Sequence, residues 1–286
     1  MKKAAGWMLF LMLTALVLTV GVPACAEDEI TGITVYADDL LEEDPAPSPT
    51  PAVPIEVPAY NPGPPPAEGM VFYDDDREVV RNTKKYPFVA VAMMDVHRSC
   101  GCEGVGTGFM VARNKLMTAA HMIVCSKHGQ WADRITFYFG YVNDRNYAYK
   151  YNGRWYAFVG TTFPDGYEAE DDWAVVKLYE NVGDTVGWFG FKVASDEEST
   201  STRLKLLGYR SGILRRSYGF ATAGKKNQLL YYEMDTEAGN SGGPLYWTKY
   251  DDPCAVAINV ADSETSNYGH RITETVYQYF LELDKY

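Results

Sequence analysis

From Tyr86 onward the chain runs FVAVAMM, GTGFMVAR, KLMTAA, RITFYFG, WYAFVG, DWAVVKLY, RLKLLGY, LLYYEM and CAVAINV, with Gly, Asn or Asp between successive runs. Runs this short, rich in β-branched and aromatic residues and closed by turn formers, have the length and composition of strands. Their fairly even spacing fits an all-β barrel or sandwich. Asn152-Gly153, between YKY and RWYAF, reads as a two-residue hairpin turn, because both residues tolerate the left-handed backbone that such a turn needs. Helical periodicity is confined to the last stretch, TETVYQYFLELDKY, where Thr273 can cap and Val276, Phe280 and Leu283 fall on one face. The 22 tyrosines lie at hairpin spacing and read as half-buried cross-strand partners in preference to a glycan-binding surface.

The first quarter of the sequence is different. Lys2 and Lys3 precede an apolar run from Gly6 to Val22, which closes on Ala24-Cys25-Ala26 before Glu27. A basic start, an apolar middle and small residues at the cut make residues 1–26 a secretory signal, so the rest is expected outside the cell with no membrane span after cleavage. Two other readings are an uncleaved signal anchor and lipidation of Cys25, since VPAC loosely resembles a bacterial lipobox that Pro23 fits poorly. Residues 27–70 read as a disordered pro-region or linker. Thirteen Asp or Glu and no Lys or Arg lie between Glu27 and Asp76, and ten of the fifteen prolines fall in residues 45–66. So many missing N–H donors and so few packable side chains favour an extended tether. The net charge of −12 belongs to this segment, because residues 77–286 carry 25 acidic against 24 basic residues. A nearly neutral body excludes a basic nucleic-acid surface.

With Cys25 removed, Cys100, Cys102, Cys125 and Cys254 remain. Four cysteines allow three pairings and a bridge across one residue is strained, so a Cys102–Cys125 pair is the expected disulfide, the alternative being that some of the four are free buried thiols. A Cys-x-Cys with one distant cysteine and no spaced histidines does not supply a tetrahedral zinc set, so no metal is expected. No nucleotide motif occurs, nothing demands a cofactor, and His97, His128 and His270 read as surface or structural.

Three stretches carry chemistry together: TAAH ending at His121, DDWAVVKL around Asp172 and GNSGG around Ser241. A serine hydroxyl is a weak nucleophile at neutral pH and needs a base within hydrogen-bond reach, which in turn needs a carboxylate to orient it. Glycines around the serine allow a tight turn that aims main-chain donors at a developing oxyanion. On this reading Gly239 and Ser241 supply those N–H groups, while Gly242 and Gly243 let a strand pass close behind.

TAAH, DWAVVKL and GNSGGP, in the order His, Asp, Ser, resemble the chymotrypsin-fold serine peptidases, and Asn240 points to the bacterial glutamyl endopeptidase branch. VFYDDDREVVRNTKKYPFVAV is similar to the mature N-terminal stretch of that branch, LLGYRSG to its Gly-Tyr turn, and NYGHRITETVYQYF to its last strand and terminal helix. The similarity covers roughly residues 71–286. It implies two six-stranded antiparallel β-barrels, at about 85–180 and 185–272, followed by a C-terminal helix at 273–285. It also implies protein or peptide substrates, a monomer, and a triad in which Ser241 attacks, His121 shuttles the proton and Asp172 holds the imidazole. Two rival readings are a binding module that has lost activity and an α/β-hydrolase esterase, since GNSGG also fits a nucleophile elbow. Only 45 residues follow Ser241, too few for the strands and helices the elbow requires, and Pro244 leads into strand-like LYW.

The resemblance also places Asp235, Thr236 and Asn259 around the substrate side chain. Asp235 sits where trypsin-like enzymes select basic side chains, but an Asp-Thr pair at this spacing also occurs in the glutamyl branch, where the threonine contacts a substrate carboxylate. Asn259 stands where that branch has a histidine, and an amide donates a hydrogen bond but carries no positive charge. The expectation is a small polar pocket for Glu, Gln or similar side chains. Since no basic residue lies between Lys3 and Arg77, maturation is expected near Glu68 or Met70, leaving a new N-terminus at Gly69 or Val71 that packs by the pocket.

Overall fold

The computed structural model describes residues 70–163, 167–224, 228–249, 252–262 and 265–286. The expected signal at residues 1–26 and residues 27–69 of the expected linker lie outside them. A two-residue β1 (Glu78–Val79) precedes β2 (Val91–His97), β3 (Gly104–Met110), β4 (Lys115–Thr118), β5 (Arg134–Phe139), β6 (Tyr149–Tyr151), β7 (Trp155–Val159) and β8 (Ala174–Leu178). After these come β9 (Gly190–Phe191), β10 (Leu204–Arg210), β11 (Ile213–Gly219), β12 (Ala221–Ala223), β13 (Leu229–Tyr232), β14 (Pro244–Lys249), β15 (Asp252–Asp262) and β16 (Asn267–Arg271). Among the described residues helix is limited to one-turn α1 (Ala120–Ile123) and α2 (Gly183–Val186), short α3 (Asp196–Ser201), α4 (Glu274–Glu282) and isolated 3-10 turns.

The strands form two curled antiparallel sheets, as the runs of strand-like sequence require. The first has the order β6-β5-β2-β3-β4-β8-β7, and the second β1-β11-β10-β14-β15-β16-β13-β12, with β9 parallel against β15. Setting aside the two- and three-residue strands β6, β1, β9 and β12 leaves six in each. The first sheet curls around Phe109, Leu116, Phe137, Phe139 and Val175, the second around Leu206, Leu230, Leu245 and Val256, all buried. Phe189, on the connection, joins them: its ring meets Phe109 of β3 at 5.7 Å and Tyr246 of β14 at 5.2 Å, both edge to face. Such pairs contribute about 0.5–1.5 kcal/mol each beyond their buried area.

The C-terminal helix is present and uses the anticipated residues. The Thr273 side chain accepts from the Val276 N–H at 3.4 Å, and Val276, Phe280 and Leu283 are all fully buried. Phe280 meets Phe191 at 4.9 Å. Lys115, itself buried, donates to the Phe280 carbonyl at 3.0 Å and pairs with Asp284 at 2.5 Å, placing a cation at the negative end of the helix. Tyrosines do pair across strands, as Tyr231 of β13 does with Tyr268 of β16.

Two expectations fail. The Asn152-Gly153 hairpin is not made: β6 pairs with β5 and β7 with β8, so the two runs lie at opposite ends of the sheet order. The turn instead wraps the Tyr151 hydroxyl, which donates to the Arg154 carbonyl and accepts from the Tyr179 N–H at 3.0 Å. The Cys102–Cys125 bridge is also absent, since Cys100, Cys102 and Cys125 are free thiols. No helix among the described residues is long and apolar enough to cross a membrane.

Candidate active site

β4 and β8 pair antiparallel and end opposite one another, with Thr118 facing Ala174. His121 follows three residues after Thr118 in α1, and Asp172 comes two residues before Ala174, at the end of a 3-10 turn over Ala169–Asp171. The register alone therefore brings base and carboxylate together. Asp172 is fully buried, and its two oxygens divide between the His121 main-chain N–H at 3.0 Å and the His121 Nδ1 at 2.7 Å. A carboxylate accepts, so Nδ1 carries the proton and the lone pair lies on Nε2.

Ser241 lies in the turn that leads into β14. Its carbonyl accepts from the Thr107 N–H at 2.8 Å, and Thr107 Oγ1 donates to the Gly239 carbonyl at 2.8 Å while accepting from the Tyr209 N–H at 2.9 Å. Thr118 Oγ1 completes the link by donating to the Thr107 carbonyl at 2.7 Å. Gly242 adopts φ +85°, and a Cβ there would sit 2.0 Å from the Thr107 carbonyl and 3.1 Å from the Ala119 nitrogen. A side chain is excluded, and the serine loop lies against the segment that carries His121. Gly239 adopts φ +97°. Among the described residues, neither the Gly239 nor the Ser241 N–H is spent on an internal hydrogen bond. The Ser241 hydroxyl donates to the Val260 carbonyl at 3.1 Å, and no hydrogen bond joins it to His121. Val260 falls within the bulge of β15 between Asn259 and Ala261. β14 begins directly at Pro244, so the helix that a nucleophile elbow needs is not there.

Asp235, Thr236 and Asn259, the residues expected around the substrate side chain, are all buried and hydrogen-bonded. Asp235 accepts from the Phe72 N–H at 2.7 Å and the Asp76 N–H at 3.1 Å. Its pKa is pushed up by burial despite those donors. Thr236 exchanges hydrogen bonds with the main chain of Met70, donating its N–H at 2.9 Å and accepting at Oγ1 at 3.3 Å. Asn259 accepts from the Tyr232 hydroxyl at 2.5 Å. No hydrogen bond joins Thr236 to Asn259.

Several residues around the site carry no motif of their own. Asn267 grips both polar groups of Met70, at 2.8 and 2.7 Å. Buried Arg77 pairs with Glu237 at 2.7 Å beside the serine loop, and Asn240 braces that loop through Glu237 N–H and the Tyr209 carbonyl, both at 3.0 Å. Thr107 had a usable signal, because a threonine between Gly106 and Gly108 marks a strand approached closely by other backbone.

Two antiparallel β-sheets, an imidazole hydrogen-bonded to a buried carboxylate and a glycine-flanked serine turn lying against the same segment define the chymotrypsin-like class. The trypsin-like peptidase domain family matches residues 106–250, half of the chain, and the chain belongs to that family. It is 29% identical over 218 residues to the glutamyl endopeptidase of Bacillus licheniformis, covering 72% of this chain and 66% of that protein. It is 28% identical over 214 residues to a Bacillus subtilis protein named extracellular metalloprotease, covering 71% and 66%. The chain thus spans just under two thirds of the length of these curated relatives. Among solved structures, a Glu endopeptidase in complex with MPD aligns with a TM-score of 0.64 at 23% identity, over 76% of this chain and all of that one. The protease Anisep from Arthrobacter nicotinovorans aligns with 0.59 at 17% identity, over 71% and 97%. At these identities the structures establish the shared fold.

A second imidazole lies close to Asp172. His270 is fully buried, its ring 6.2 Å from Trp173, and its Nε2 donates to the Glu170 carbonyl at 2.8 Å. Burial lowers its pKa from the ordinary 6.5 to about 4, against the opposing pull of that carbonyl and of Asp172 and Asp171. Between those values the unfolded chain binds the proton that the folded chain refuses. The stabilisation is therefore complete above pH 6.5 and lost as the pH falls toward 4. At 1.36 kcal/mol per pKa unit the loss is about 3 kcal/mol. Urea unfolding of wild type and His270→Gln between pH 7 and pH 4 should show wild type losing about 3 kcal/mol more; parallel curves would refute this.

Proposed function

We propose that the chain is a secreted serine endopeptidase that cuts peptide bonds through an acyl-enzyme. Ser241 Oγ attacks the scissile carbonyl carbon while His121 Nε2 takes its proton, and the oxyanion accepts from the Gly239 and Ser241 N–H groups. Collapse breaks the C–N bond, His121 returns the proton to the leaving amine, and water, activated by the same imidazole, releases the acyl group. Asp172 keeps the ring in the tautomer that exposes Nε2. The observation that carries this reading is the buried Asp172 carboxylate with both oxygens on His121. For the attack the Ser241 hydroxyl has to leave the Val260 carbonyl, on which it rests.

Around the substrate side chain, Thr236 and Asn259 form a small polar pocket that prefers Glu, Gln or similar residues, with Asp235 bordering it. The glutamyl endopeptidase relative supports this preference, whereas the absence of a histidine at Asn259 removes a cation from the pocket. Maturation is by a cut near Glu68 or Met70, starting the mature chain at Gly69 or Val71; the main chain of Phe72 on Asp235 supports either start, and that of Met70 on Thr236 and Asn267 supports the start at Gly69.

Three outcomes are expected. A serine-directed fluorophosphonate labels wild type and not Ser241→Ala, and the variant loses turnover by on the order of a millionfold; cleavage at the wild-type rate by the variant would disprove the mechanism. Digests of a denatured protein mixture show cuts after Glu, Gln or other small polar side chains, and a majority after Lys or Arg would reject the pocket. N-terminal sequencing of exported, active material reads from Gly69 or Val71; a fully active chain starting at Glu27 would leave the acidic segment a mere spacer.

A further inference from the structure

Cys100, Cys102, Cys125 and His128 converge on one point of the surface beside β2 and β3, and the ligand atoms of all four lie within 4.8 Å of one another. The sequence spacing hides this set, because His128 completes it from the turn after Cys125 and Cys-x-Cys supplies the other two from a separate loop. His128 Nδ1 is 3.3 Å from the Cys102 Sγ and 3.5 Å from the Cys125 Sγ. Tetrahedral zinc with bonds of about 2.3 Å to sulfur and 2.0–2.1 Å to nitrogen holds neighbouring ligand atoms roughly 3.5–3.8 Å apart. One sulfur-to-nitrogen separation lies at the lower edge of that range and the other about 0.2 Å below it.

Main-chain bonds fix both loops. Gly101 and Gly129 take φ +78° and +65°, where the chain reverses next to a ligand. The Cys125 N–H donates to the Gln130 carbonyl at 2.7 Å, and the Gly129 N–H returns to the Cys125 carbonyl at 2.8 Å. The Ser99 N–H donates to Asp133 and the Gln130 amide to the Ser99 hydroxyl, tying one loop to the other. Arg98 is buried behind the cluster and donates from Nη1 to the Cys102 carbonyl at 3.0 Å, while its Nε–H has no acceptor among the described residues.

We propose that Cys100, Cys102, Cys125 and His128 bind one structural zinc ion. Zinc displaces three thiol protons and takes the neutral imidazole through Nδ1, closing the coordination sphere with four protein ligands. Zn2+ with three thiolates carries one net negative charge, which the adjoining Arg98 guanidinium balances.

The full-length protein, expressed with zinc and purified without chelator, should contain one zinc per chain by plasma mass spectrometry. Replacing zinc by cobalt should give thiolate-to-cobalt charge-transfer bands and tetrahedral visible bands. His128→Ala removes an exposed ligand without disturbing the core and should weaken zinc binding by at least roughly tenfold, the loss that even outer-shell partners cause. Cys100→Ser should do the same. Mass spectrometry of the exported protein showing a disulfide between any two of these cysteines, or metal-free protein in which Cys100, Cys102 and Cys125 all react as free thiols, overturns the proposal. So does unchanged zinc affinity in both variants. None of these readouts depends on peptidase turnover.

Discussion

A carboxylate withdrawn from water must find its donors inside the protein, and each oxygen of Asp172 finds one in His121. That arrangement exists because β4 and β8 stop in register, so the turn entering β8 and the helix leaving β4 face each other across one strand spacing. Slipping the pair by one residue would turn every side chain to the opposite face and send Asp172 away from His121. The register is in turn fixed by what it buries: Leu116 and Met117 on β4, Val175 and Val176 on β8, all fully inside. The orientation of the imidazole is thus a property of the hydrophobic core of the first sheet.

The serine belongs to the other sheet, and Thr107 brings it across. One threonine on β3 holds the carbonyls of Ser241 and Gly239 and the N–H of Tyr209, while its own carbonyl receives Thr118. Each of these groups is buried or nearly so, where an unmade hydrogen bond costs about 1–3 kcal/mol. The approach is close enough that only glycine fits at 242. With the Phe109–Phe189–Tyr246 contacts behind it, the joint between the sheets is rigid where the chemistry is proposed. The Ser241 side chain retains freedom, and it rests on the Val260 carbonyl that the bulge in β15 leaves outside the ladder.

The sequence was legible wherever one segment determines its own structure. The strand runs and the Thr273 cap with its apolar face depend on local pattern and lie where that pattern put them, and the His, Asp and Ser motifs are legible in the same local way. Failures came from partners far away in sequence. Asn152-Gly153 has the residues of a hairpin turn, yet the strands beside it pair elsewhere, because closure of the first sheet outweighs local turn chemistry. The partners of Asp235 were equally hidden, since its oxygens accept from the main chain of residues 72 and 76, which no spacing rule connects to it. His128 looked idle because its companions come from a loop more than twenty residues earlier. Thr107 is an ordinary strand residue until the second sheet arrives against it.

Arg98 connects the thiol cluster to the proposed catalytic centre. Its Nη1 holds the Cys102 carbonyl, and its Nη2 holds the carbonyls of His121 and Met122 at 2.8 and 2.9 Å. Those two carbonyls belong to a one-turn helix whose last carbonyl groups have no helical partners, so the guanidinium acts as their cap. Burial pulls the Arg98 pKa down, the direction expected of a cation removed from water. A negatively charged zinc–thiolate centre next to it would offset that penalty, and a neutral disulfide would not. The charge on the cluster therefore bears on how firmly Arg98 is held, and through Arg98 on the backbone from which the His121 imidazole projects.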